Sequence, residues 1–235
     1  MNWTRHIAAI LALAPALVAG AQQMRAASPT ATGDASWVKV YATTCRPAFR
    51  VCAPSTDGYE NAFNSDPRFS PLLRSAFPQR QWFWLDGGKF TSVPNLIQLF
   101  LGVPGSALVD QDRYFTANGC IPHDCVNRGM LWIDTAPHPA QLIFIANDEI
   151  SGDGKGPDQI LWIFSSSQLN WQKLSRPFLD SFHRWHSNLV QQDRNYTWSD
   201  LNSFLVANLV QPNGEIVTLS PSVLGLQTQS TGATQ

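Results

Sequence analysis

Hydrophobic positions along this chain follow several periods, and each predicts a different element. Phe69, Leu72, Leu73 and Phe77 recur at helical spacing behind Ser65-Asp66-Pro67, where a capping residue precedes a proline suited to the first helical position. A short amphipathic helix is therefore expected, ending by Pro78. Trp82 to Leu85 then runs into Asp86-Gly87-Gly88, a turn that glycine tolerates best. From Ala107 onward the pattern changes to short stretches rich in Ile, Val, Phe, Trp and Thr. Leu108 to Val109, Arg113 to Ala117, Met130 to Asp134, Gln141 to Ala146 and Gln159 to Phe164 read as strands. Asn118-Gly119, Pro137-His138-Pro139 and Gly152-Asp153-Gly154 break them. Helical spacing returns after Pro177, with Phe178, Leu179, Phe182, Trp185, His186 and Leu189 on one face. A further short helix is expected near Ser199, with Leu201, Phe204, Leu205 and Leu209 inward. Upstream, Trp37, Val38, Val40 and Tyr41 predict a short strand. Short strands with turn-length links imply an antiparallel sheet of about five strands, and the separate helices imply an α+β domain with helices packed on one face.

One apolar run has no period at all. Ile7 to Val18, 12 residues, follows Arg5 and His6 and gives way to Ala19-Gly20-Ala21, the small-x-small pattern read by signal peptidase. Spanning a bilayer as a helix takes about 20 apolar residues, so residues 1–21 are expected to be a signal peptide. No cysteine directly follows the cleavage point and no second long apolar run appears, so a periplasmic or secreted product without membrane insertion is expected. Residues 22–36 are small and polar and read as a flexible leader. Residues 37–64 read as an N-terminal extension, 65–220 as the main domain, and 221–235 as a polar, disordered tail. Removing the signal peptide takes away one cation, Arg5, and leaves 214 residues with 15 basic and 17 acidic side chains. A net charge of −2 is too weak a field to draw in nucleic acid or a membrane surface. Nine Trp and thirteen Phe, all but Trp3 beyond the leader, are ample for one aromatic core.

Four cysteines fall as two close pairs, Cys45 with Cys52 and Cys120 with Cys125. An exported protein favours disulfides, and of the three connectivities the local one is expected. The rival is a zinc site of four thiolates, which usually needs tighter pairs and a reducing setting. The second pair closes Cys120-Ile121-Pro122-His123-Asp124-Cys125, between two predicted strands. A disulfide there would stabilise by about 2 kcal/mol in the loop-closure model. Pro122 fixes its own φ and pushes Ile121 toward an extended conformation, which makes the loop a stiff protrusion. At its apex Asp124 could orient the His123 imidazole or favour its charged form, so that the ring donates to two acceptors. The plainer reading is a braced hairpin whose histidine faces solvent.

The run Cys120-x-Pro122-His123-Asp124-Cys125 resembles the Cys-Lys-Pro-His-Asp-Cys loop of the Ivy family of bacterial periplasmic lysozyme inhibitors. The similarity extends to Trp84 to Gly88, Tyr114, Arg128 and the strand containing Trp132. The resemblance implies that residues 65–220 form an inhibitor domain whose loop enters a lysozyme cleft, where His123 contacts the two catalytic carboxyl groups. A retaining glycosidase holds those groups about 5–5.5 Å apart, one neutral and one ionised. The implied partner is a lysozyme of the animal C type, and a lytic transglycosylase is a second target. Whether the chain forms a homodimer, as some relatives do, stays open. Two departures stand out: Ile121 replaces the basic residue common at its position, and the chain is longer, with the Cys45 to Cys52 loop and an extended Val93 to Asp112 segment.

Other signals are weaker. His183 and His186 lie three apart on a predicted helix, close enough for two metal ligands. Asn147-Asp148-Glu149 through Asp158 loosely resembles a calcium loop but reads better as a solvated turn, and Asn195-Tyr196-Thr197 matches a glycosylation sequon. There is no Gly-x-Ser-x-Gly, phosphate loop or His-Glu-x-x-His, so neither catalysis by this chain nor a cofactor is expected. The alternatives are a metal-dependent envelope hydrolase using His123 and Asp124, with His183 and His186, and a non-catalytic envelope binding module.

Overall fold

The computed structural model describes residues 33–41, 62–78, 82–86, 89–150, 158–193 and 204–226. At 62, 82–86, 89–90, 148–150, 158–159, 190–193 and 204–205 it describes the backbone alone. The chain divides into two units, Met1–Thr30 and Ala31–Gln235, and everything described belongs to the second. The expected signal peptide, the Cys45–Cys52 pair, the sequon and the part of the expected tail from Gln227 on lie outside the described residues, whereas Pro221–Leu224, placed in the disordered tail by the sequence, form a 3-10 turn with Leu224 buried.

After 3-10 helices at Ser36–Tyr41 and Ala62–Ser65 come α1 (Phe69–Ala76), a two-stranded hairpin of β1 (Trp82–Asp86) and β2 (Lys89–Ser92), and α2 (Val93–Phe100). The main sheet follows: β3 (Val103–Asp110), β4 (Tyr114–Ile121), β5 (Asp124–Asp134), β6 (Gln141–Ile150) and β7 (Asp158–Ser165). Then come α3 (Arg176–Asp193), β8 (Phe204–Val210), β9 (Ile216–Leu219) and a final 3-10 turn, Pro221–Leu224. The seven strands pair in chain order, all antiparallel except β7 with β8. The chain is thus α+β with a mostly antiparallel sheet, two strands larger than the pattern suggested. Among the described residues no helix is long and apolar enough to cross a membrane.

Three expectations are corrected. The helix expected near Ser199 gives way at Phe204 to β8, which pairs in parallel with β7 from Gln159↔Phe204 to Phe164↔Val210. A strand covered on both faces reads as a continuous apolar run, which periodicity cannot tell from a buried helix, and α3 supplies the crossover that parallel neighbours need. The strand expected at Trp37–Tyr41 is a 3-10 helix, in which the Val38 N–H donates to the Ala35 carbonyl at 3.1 Å. Its consecutive buried residues, Trp37 and Val38, do not suit the alternation of a strand. Finally, helices cover both faces of the sheet. Leu131, Ile133, Leu142 and Phe144 pack in one buried cluster with residues of α1 and α2, while Met130, Trp132, Ile143 and Ile145 pack in a second with Phe178, Phe182 and Trp185 of α3.

Ionic contacts tie the periphery to this core. Asp66, 8 % exposed, accepts hydrogen bonds from Tyr41 Oη at 2.7 Å, from Arg68 Nε and Nη2 at 2.9 and 2.7 Å, and from the Arg68 backbone N–H. That backbone contact turns the chain into α1, and the Arg68 guanidinium lies over Trp37 at 4.5 Å. The Asp66 carboxyl is held well below the usual range, chiefly by Arg68, with partial burial opposing. On the sheet, Arg113, immediately before β4, grips Asp134 at the end of β5 through two bonds of 2.7 Å. Burial pushes the Asp134 carboxyl up, but Arg113 and the Ala136 N–H outweigh it and the net displacement is downward.

Both carboxyl groups ionise more readily in the folded chain than in the unfolded one. Their stabilisation is therefore complete above the ordinary aspartate value near 3.8 and is lost as the pH falls below it. Thermal melts from about pH 6 to about pH 2 are expected to show a falling midpoint. Asp134→Asn is expected to lower the midpoint by a few degrees at neutral pH and to flatten that slope. An unchanged slope would remove Asp134 from the acid response.

Candidate functional site, the Cys120 to Cys125 hairpin

β4 and β5 pair regularly from Tyr114↔Asp134 to Cys120↔Arg128, and then the register breaks. The next pair is Ile121↔Asp124, which leaves Cys125, Val126 and Asn127 as a bulge on the β5 arm. Pro122 and His123 form the turn, with His123 at φ +65°. Proline followed by a residue of positive φ is the type II pattern, which usually takes glycine or asparagine in the second place. A left-handed histidine costs on the order of 1 kcal/mol, so the surrounding structure has to hold it there.

Three contacts around the tip do so. The Cys120–Cys125 disulfide ties the arms together, with Cα atoms 4.9 Å apart. In the bulge, Asn127 Nδ2 donates to Asp124 Oδ2 at 2.8 Å, and Arg128 Nε donates to the Cys125 carbonyl at 2.7 Å. Ile121 is only 8 % exposed and belongs to the buried cluster on the α2 side. Ile121 is thus an inward anchor for the ring.

The root of the hairpin is shaped by what its glycines leave out. Gly119 and Gly129 face each other across β4 and β5. A Cβ at Gly129 would stand 2.8 Å from Phe100 Cβ and 3.0 Å from a Phe144 ring carbon, and one at Gly119 would stand 2.9 Å from Leu101 Cα. The end of α2 therefore lies directly on bare backbone. One residue further, a Cβ at Gly102 would stand 2.9 Å from Pro122 Cδ and Cγ. The link between α2 and β3 thus braces the tip from below.

Pro122, His123, Asp124 and Cys125 are all exposed. Among the described residues His123 makes no hydrogen bond or ion pair, and Asp124 is engaged by Asn127. Among the described residues Asp124 is thus bonded to Asn127 and not to the His123 ring. Tyr114 and Trp132, which the resemblance also drew on, stack at 5.5 Å on the α3 side. His183 Nε2 lies 2.6 Å from the Leu224 carbonyl, and His186 lies against the Phe182 ring. Among the described residues no three or more His, Cys, Asp or Glu side chains gather as a metal-binding group.

Sequence reasoning identified the ring but missed its support from Phe100, Gly102 and Asn127. A glycine inside a strand pattern, as at Gly129, is the signal that could have pointed to a close backbone approach. No family model, curated protein or solved structure matches this chain.

Gly129→Ala is expected to destabilise the fold by about 1–3 kcal/mol through overpacking, read as a drop in the thermal midpoint of several degrees. A midpoint equal to that of the wild type would mean that α2 does not bear on the hairpin root.

Proposed function

We propose that this chain is an exported proteinaceous inhibitor of lysozyme-type glycosidases, related to the Ivy family, and that it works by occlusion with no catalysis of its own. One observation carries the reading: His123 stands at the apex of a disulfide-closed hairpin, exposed and without a hydrogen-bonding partner among the described residues. An imidazole presented in this way can lie between two carboxyl groups about 5–5.5 Å apart and hydrogen-bond to both. The braced tip loses little conformational entropy on docking, which favours tight binding.

In this reading Pro122, His123 and Asp124 face the target, with the exposed Cys125 closing the ring. Ile121 keeps the tip at a fixed height above the core. A charge of −2 on the mature chain gives mild electrostatic steering toward cationic lysozymes. The periplasm, or the space outside the cell, is where such a protein meets its target.

A lysis assay with C-type lysozyme and a lytic transglycosylase tests the reading. Wild type is expected to inhibit at least one of them, and His123→Ala is expected to lose about tenfold or more in potency. Equal potency of the two proteins would remove His123 from the mechanism. No inhibition of any glycosidase by the wild type would remove the function.

A further inference from the structure

The left-handed backbone of His123, at φ +65°, is held through the residues on either side of it. On the proline side the brace is the backbone at Gly102, where a Cβ would stand 2.9 Å from Pro122 Cδ and Cγ. On the other side Asp124 Oδ2 accepts a hydrogen bond from Asn127 Nδ2 at 2.8 Å. That bond joins unlike partners. Asp124 is exposed, whereas Asn127 is only 7 % exposed and is the buried residue of the bulge Cys125-Val126-Asn127.

The difference in burial gives the bond a direction. A buried amide is fixed by the packing around it, while an exposed side chain changes rotamer within picoseconds to nanoseconds unless something holds it. Order therefore passes outward, from the bulge to the tip. A hydrogen bond to an ionised carboxylate is also about twice as strong as one between neutral groups. With Asp124 held, the chain after His123 cannot swing away, and the unfavourable left-handed turn persists.

We infer that Asn127 is a positioning residue of the inhibitory tip: acting through Asp124, it keeps His123 in the shape that enters a glycosidase cleft. The inference rests on the inhibitor reading above and adds a residue to it that does not itself meet the target. Such a role has a kinetic signature. A tip that samples several shapes binds only in the competent one, so the apparent Kd rises as the competent fraction falls, and the loss appears in the association rate. Removal of a direct contact acts instead mainly on dissociation.

The test is the kinetics of binding of the full mature chain to C-type lysozyme and a lytic transglycosylase. The variants are Asn127→Ala, Asn127→Asp, Asp124→Asn, His123→Ala and the reciprocal pair Asp124→Asn with Asn127→Asp. Asn127→Ala removes the donor and Asn127→Asp sets two carboxylates against each other. Both are expected to slow association by about three- to tenfold with dissociation nearly unchanged, whereas His123→Ala is expected to dissociate faster. The reciprocal pair restores the bond with donor and acceptor exchanged. It is expected to associate like Asp124→Asn alone, which keeps an amide oxygen as acceptor. Thermal midpoints check folding, and if Asn127→Ala does not fold, the isosteric Asn127→Asp and its reciprocal pair carry the comparison. An Asn127 variant that folds and associates like the wild type, or a reciprocal pair no faster than Asn127→Asp, overturns the positioning role and leaves the inhibitor reading standing. A wild type that binds no glycosidase overturns the inhibitor reading. NMR relaxation of the His123 and Asp124 amides then decides on Asn127 by itself: more motion in the Asn127 variants is expected, and order equal to the wild type overturns the role.

Discussion

Two facing glycines, Gly119 and Gly129, allow the end of α2 to lie on the backbone of β4 and β5, and the position of everything at that end of the sheet follows. With a side chain at either place Phe100 and Leu101 would be pushed away, and the Leu101-Gly102 link would no longer sit beneath Pro122. The contact is steric. Protein interiors are packed as densely as molecular crystals, so a displacement at the root is carried to the tip with little attenuation. The geometry of an exposed loop is here decided by a buried one.

The opposite end of the same two strands is secured differently. There Arg113 and Asp134 join the ends of β4 and β5, and the Arg184 guanidinium of α3 reaches Asp110 at the end of β3. Thr116 and Ser181 share a hydrogen bond between the sheet and α3. One end of the β4–β5 ladder is thus held by apolar packing and a disulfide, the other by charge. Acid therefore acts first on the charged end of the ladder, through Asp134.

Much of this was legible in the sequence, and what was not has identifiable causes. β4, β5, β6 and β7 are stretches rich in β-branched and aromatic residues and lie where the pattern placed them, but the expected turn at Asn118-Gly119 is wrong: β4 runs through it to Ile121, and β5 begins already at Asp124. The helix beginning near Pro177 was also visible, because Phe178, Phe182, Trp185 and Leu189 keep one face. β8 was misread because its strand is almost uniformly apolar and carries no period. The covering of both faces was hidden for a related reason: Leu131 and Trp132, neighbours in sequence, are both buried, one on each side of the sheet. A central strand with two cores looks merely hydrophobic. The Cys120 to Cys125 ring was found from the spacing of its cysteines, whereas the support from α2 depends on contacts between residues about 20 to 30 apart in sequence, which no local pattern reveals.

The inward turn of Ile121 divides the labour within the loop. A residue embedded in the main core answers to packing, so exchanging it for a long cation would force that side chain out through the hairpin and shift the turn. Residues 122 to 124 fill no interior space and are held instead by the turn, by Asn127 and by the backbone at Gly102. A change of size or charge is therefore easier to accommodate at the exposed tip than at Ile121. Ile121 itself is tied to the fate of the fold.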